Sequence, residues 1–110
     1  MEAVTIAKEI LRCITELGDE GKLSKDLITA KANAMGEYDK NLGVAVSTLK
    51  AEGKAISIIE KLAKSRCSDL LIKKIVAEET LKAHYSKLDR LKAQLNGLQS
   101  INRYLDSVSG

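Results

Sequence analysis

Residues 81–105 read LKAHYSKLDRLKAQLNGLQSINRYL, and the spacing inside this stretch decides the fold. Leu81, His84, Leu88, Leu91, Leu95, Leu98, Asn102 and Leu105 recur at alternating steps of three and four, the a and d positions of a heptad. A stripe this narrow on a long helix needs a partner helix, supplied by the same chain or by another copy. His84 and Asn102 interrupt it with polar groups, which at such positions fix register or partner number at some cost in stability. If His84 packs between facing helices, its protonation is expected to disfavour assembly in mild acid.

Working upstream, Ser68 with Asp69 beside it offers a helix start, and the pattern then runs without a strong breaker to about Asp106. A short amphipathic piece, Lys54 to Arg66, precedes it, with Ser57 and Glu60 spaced as a capping box. A helix over about Lys25 to Gly53 comes before that. Its expected seam is Ile28, Met35, Leu42 and Leu49 at one heptad position, with Lys31, Tyr38, Ala45 and Glu52 at the other. The first helix, residues 1–17, carries Ile6, Ile10, Ile14 and Leu17, and Gly18 and Gly21 place a linker over 18–24. The reading is all-α: a helical hairpin of two long helices within 25–106, a short corner helix, an N-terminal helix, and a frayed tail at 107–110. The 110 residues are expected to form one domain with coiled-coil-like packing.

Composition agrees with that fold. The chain has no proline, tryptophan or phenylalanine, and Ala, Leu, Lys, Glu and Ile, mostly good helix formers, predominate. No stretch approaches the roughly 20 apolar residues of a membrane span, and the N-terminus, with Glu2, Glu9 and Glu16 in it, is no signal peptide, so a cytoplasmic protein is expected. Cys13 and Cys67 lack CxxC spacing and read as reduced, small, semi-buried hydrophobes. The length mismatch between the two seams leaves Leu95 to Leu105 for a second copy, so a homo-oligomer, first of all a dimer, is expected.

Charge is uneven. Lys50, Lys54, Lys61, Lys64, Arg66, Lys73 and Lys74 outnumber Glu52, Glu60 and Asp69 between residues 50 and 74, so this segment holds +4 of a net +3 and the remainder −1. Lys54, Lys61, Lys64, Arg66, Lys73 and Lys74 form a candidate basic corner for an acidic protein face or for the phosphates of nucleic acid or a nucleotide. No aromatic residue lies in the segment on which a base could stack, and carboxylates are interspersed. On helix two, Ala32, Gly36, Gly43 and Ser47 share a face that suits either close approach of another helix or a kink. The tyrosines Tyr38, Tyr85 and Tyr104 read as packing groups with a hydroxyl at the rim.

Catalytic signatures are missing from the sequence: one histidine, no GxSxG, no P-loop, no HExxH and no dinucleotide fingerprint. Glu78 and Glu79 stand six and five residues from His84, outside the E-x-x-H spacing of bundle metal sites. No catalytic residue, metal ligand or cofactor is expected, and the chain reads as a binding protein.

The stretches LKAEGKAISIIEKLAKS at 49–65 and EETLKAHYSKLDRLKAQLNGLQSINRYL at 78–105 resemble small helical accessory proteins of phages and prophages of Gram-positive bacteria. The likeness covers roughly residues 25 to 105. It implies a protein in the host bacterial cytoplasm that helps recombination or replication, or that sequesters or inhibits a host defence protein or a phage protein. A purely structural assembly protein is the further alternative.

Overall fold

In the computed structural model, residues 2–109 are described, and they form three helices: α1 (Ala3–Ala51), α2 (Ile56–Arg66) and α3 (Ser68–Ser109). No strand occurs among the described residues. The long helices α1 and α3 pack against each other as a hairpin, so the all-α expectation holds. The chain divides into two compact units, unit 1 from residues 1–25 and 82–110 and unit 2 from residues 26–81.

The separate N-terminal helix and the 18–24 linker are corrected: α1 runs unbroken through Gly18 and Gly21. Each interior glycine costs up to about 1 kcal/mol relative to alanine. That cost is offset on the adjoining face, where Leu17, Glu20 and Ser24 keep the three-and-four spacing and are half-buried, with Glu20 and Ser24 bonded to α3. Of the tail expected at 107–110, residues 107–109 continue α3, and Gly110 lies outside the described residues.

The end of α1 is where the sequence placed it. Gly53 adopts φ +76, its N–H donates to the carbonyl of Lys50 at 3.1 Å, and the N–H of Lys54 reaches back to the carbonyl of Leu49 at 3.1 Å. This double return is a Schellman closure, and the left-handed residue in it favours glycine. Helix α2 starts on Ala55 with no side-chain cap, so the box expected from Ser57 and Glu60 does not form. Glu60 instead pairs with Lys64 at 2.9 Å, one turn ahead. A single residue, Cys67, joins α2 to α3: its N–H donates to the carbonyls of Ala63 and Lys64, and its carbonyl accepts from Leu71.

Unit 2 has a core of Tyr38, Ala45, Leu49, Ile59, Ala63 and Cys67, with Leu42, Val46, Leu70 and Leu71 packed around it. The short helix α2 therefore closes one end of a three-helix cluster. In unit 1 only two helices meet, and the buried residues are Ile6 and Cys13 from α1 with His84, Leu91 and Leu98 from α3. Both cysteines are free, and they are buried rather than semi-buried.

Candidate functional site

All eight seam positions of α3, Leu81 to Leu105, are buried or half-buried, and every residue between them is exposed. The heptad reading of α3 is thus correct residue by residue. Its expected partner needs correction. The α1 seam in this region is Ile6, Ile10, Cys13, Leu17, Glu20, Ser24, Leu27, Lys31, Ala34 and Tyr38, whereas Ile28 and Met35, assigned to it from the sequence, are exposed. The other expected members, Lys31, Tyr38, Leu42, Ala45 and Leu49, are buried or half-buried, so the expected frame fails at Ile28, Met35 and Glu52, where larger apolar side chains outweighed the small and polar residues that are covered. The length mismatch behind the expected second copy also disappears, because α1 has 49 residues and α3 has 42.

Within unit 1 the polar break at His84 has a built environment. The residue is 5% exposed. Its Nδ1 lies 3.2 Å from Oε2 of Glu20, its Nε2 lies 2.7 Å from Oγ of Ser24, and Lys87 donates from Nζ to Oε1 of Glu20 at 2.6 Å. A carboxylate can only accept, so Nδ1 carries the proton and Nε2 accepts from the Ser24 hydroxyl. Were the ring protonated, the hydroxyl would rotate and accept in turn, and both nitrogens would remain satisfied. The hydrogen bond from Lys87, with that from His84 behind it, holds the Glu20 carboxyl below its usual range against the opposing effect of desolvation.

The order carboxylate, imidazole, hydroxyl is that of a hydrolytic triad. Here Ser24 lies inside α1, and its neighbouring N–H groups are spent on the helix itself rather than turned toward the hydroxyl as oxyanion donors. What the group supplies is a polar layer across an apolar seam. Sliding α1 by one turn would put Leu17 or Leu27 beside His84 in place of one of its two partners and leave one ring nitrogen unpaired, so the layer favours this register of the pair. Glu20 and Ser24 were assigned in sequence to a linker and a helix cap. The signal that could have found them is the uninterrupted spacing Leu17, Glu20, Ser24, Leu27.

The basic corner lies in unit 2. Lys64 pairs with Glu60 at 2.9 Å, Arg66 with Glu52 at 3.5 Å and Lys73 with Glu37 at 2.9 Å, while the ammonium of Lys74 stands 5.2 Å over the ring of Tyr38. The Lys64 charge is favoured and the Glu60 carboxyl lowered by their mutual hydrogen bond. These pairs are solvent-exposed, and water and salt screen them to little effect on stability. Lys54 stands in the turn beyond Gly53 and Lys61 on the exposed side of α2.

The apolar surface is more conspicuous than the charge. On α3 of unit 2, Ile72, Ile75 and Val76 are all exposed, at spacings of three and four that place them on one patch. Ile28 and Val44 of α1 and Ile56 of α2 are exposed in the same unit. In unit 1 the exposed set includes Val4, Leu11 and Ile14 on α1, and Ile101, Tyr104 and Val108 on α3. Of the tyrosines, Tyr38 is a core residue, whereas Tyr104 is mostly in solvent. At Gly36 and Gly43 nothing lies within 4 Å of the place a Cβ would take, so the close approach does not occur within the chain, and α1 continues through both without a break. Among the described residues no helix is long and apolar enough to cross a membrane, and no group of metal-ligating side chains converges. No protein-family model, curated protein or solved structure matches this chain.

Proposed function

We propose that this chain is a non-enzymatic helical binding protein that engages a partner protein through the aliphatic patch of Ile72, Ile75 and Val76. The observation that carries the reading is the exposure of these three side chains on one helix face, in a chain 30% of whose residues are charged. Contiguous apolar surface of that kind on a polar protein is costly to leave in water and is the usual core of an interface. The i, i+3, i+4 spacing suits a helix lying alongside, or a groove that receives α3. Lys73 at the edge of the patch, and Lys54 and Lys61 in the same unit, supply attraction toward an acidic rim.

In the setting implied by the resemblance to phage and prophage accessory proteins, the partner is a host defence protein or a phage protein, and binding sequesters it. The experiment is capture from a lysate of phage-infected Gram-positive cells, with the wild-type chain compared with Ile72→Glu/Val76→Glu and with Lys54→Glu/Lys61→Glu. The proposal expects a partner that the wild type and the lysine variant hold and the aliphatic variant loses at unchanged helicity. A partner lost only with the lysines, together with nucleic-acid binding that falls steeply with salt, would replace this reading by phosphate recognition at the basic corner.

A further inference from the structure

We infer that residues 4–21 of α1 form the seam of an antiparallel, two-fold symmetric pair with the same segment of a second copy. This goes beyond the binding reading, which stands on unit 2, and neither depends on the other.

Val4, Ala7, Leu11, Ile14, Gly18 and Gly21 follow one another at steps of three, four, three, four and three. All six are exposed, although Val4, Leu11 and Ile14 are large aliphatics, with Leu11 65% exposed. This is a second a/d frame on the same helix, about 100° round from the frame that packs on α3. Heptad spacing specifies a helix as the occupant, and two frames about a right angle apart are what a helix in a bundle carries when it has two neighbours.

That the neighbour is a second copy follows from the order of sizes along the stripe. When two such segments run antiparallel about a two-fold axis between Leu11 and Ile14, Val4 of each copy meets Gly21 of the other and Ala7 meets Gly18, while Leu11 meets Ile14 at the centre. Every large residue then faces a small one or fills the middle, as an isologous interface requires. The glycines are open for this purpose: nothing lies within 4 Å of the place a Cβ would take at Gly18 or Gly21. A parallel pair would instead set glycine on glycine at both positions and leave a void.

The test is sedimentation equilibrium of the full chain and of Gly21→Leu and Leu11→Glu, with helicity followed by circular dichroism. Gly21→Leu is informative because leucine favours a helix and has free space in the single chain, yet it fills the hole into which Val4 of the second copy would fit. The expected result is a wild-type dimer whose dissociation constant rises at least about tenfold in each variant while helicity is kept. Oxidation of mixed Leu11→Cys and Ile14→Cys chains should cross-link them more completely than either variant alone. A wild-type chain that stays monomeric up to about 100 μM would overturn the inference, as would a dimer that neither variant weakens. So would cross-linking that is better within each cysteine variant than between them, which would indicate a parallel pair.

Discussion

Replacing Ser24 by alanine removes the hydroxyl that stands 2.7 Å from Nε2 of His84 and leaves a buried ring nitrogen with no donor to accept from. An unsatisfied buried polar group costs about 1–3 kcal/mol. Alanine is also the better helix former, which returns roughly 0.5 kcal/mol at this mid-helix position. The net expected loss is therefore about 0.5–2.5 kcal/mol, equivalent to a fall in the thermal midpoint of roughly 2–10 °C at about 4 °C per kcal/mol. His84→Leu makes a separate point. It restores an apolar heptad position and leaves Glu20 with its 2.6 Å hydrogen bond from Lys87, so it should be near neutral, and the double variant Ser24→Ala/His84→Leu should regain most of what Ser24→Ala lost. Urea denaturation followed by circular dichroism at fixed pH measures all four proteins, with the slope against denaturant checking that the same surface unfolds in each. If Ser24→Ala matches the wild type, or the double variant is no more stable than Ser24→Ala alone, the polar layer does not work as described.

Acid should weaken the same site. The folded-state value of Glu20 lies below the unfolded reference of 4.5, chiefly through the hydrogen bond from Lys87, so its contribution is fully present above that reference and is lost as pH falls through the lower folded value. Thermal midpoints recorded from about pH 6 to about pH 3 should show a shallower acid limb for Glu20→Gln than for the wild type, and superimposable limbs would contradict the assignment. The glycines should respond with opposite signs. Gly53→Ala forces a side chain into the left-handed turn after α1 and should cost about 1–2 kcal/mol, whereas Gly36→Ala, helical and unobstructed, should gain up to about 1 kcal/mol. Denaturant midpoints of the two variants falling on the same side of the wild type would refute that distinction.

Much of the α3 side of this protein is legible in its sequence because a heptad of leucines is a strong local signal. The same is true of Gly53, whose type and position announce the turn that it makes. The α1 side is not legible by the same means. Two glycines, with Asp19 and Glu20 between them, carry every local mark of a linker, and Ser24 followed by Asp26 carries the mark of a new helix. The helix persists because the face beside those glycines, Leu17, Glu20 and Ser24, is held against α3, and local propensity of about 1 kcal/mol per glycine is a weak prior against that. The heptad frame of α1 was read correctly at Lys31, Tyr38, Leu42, Ala45 and Leu49 and misread at Ile28 and Met35 for a related reason: these are the larger apolar residues, but Leu27 and Ala34 are the ones covered.

The sequence alone determined that the protein is helical, that α3 presents one narrow stripe to a partner, and where the turn between the long helices begins. These are consequences of spacing and of residue type, which act within a few residues. Only the tertiary structure decided that α1 is one helix, that its polar residues Glu20 and Ser24 meet His84, and which apolar side chains remain in water. Those outcomes depend on which face of α1 turns toward α3, and that choice is made by matching polar to polar and apolar to apolar between residues some sixty positions apart, a pairing that no local pattern encodes.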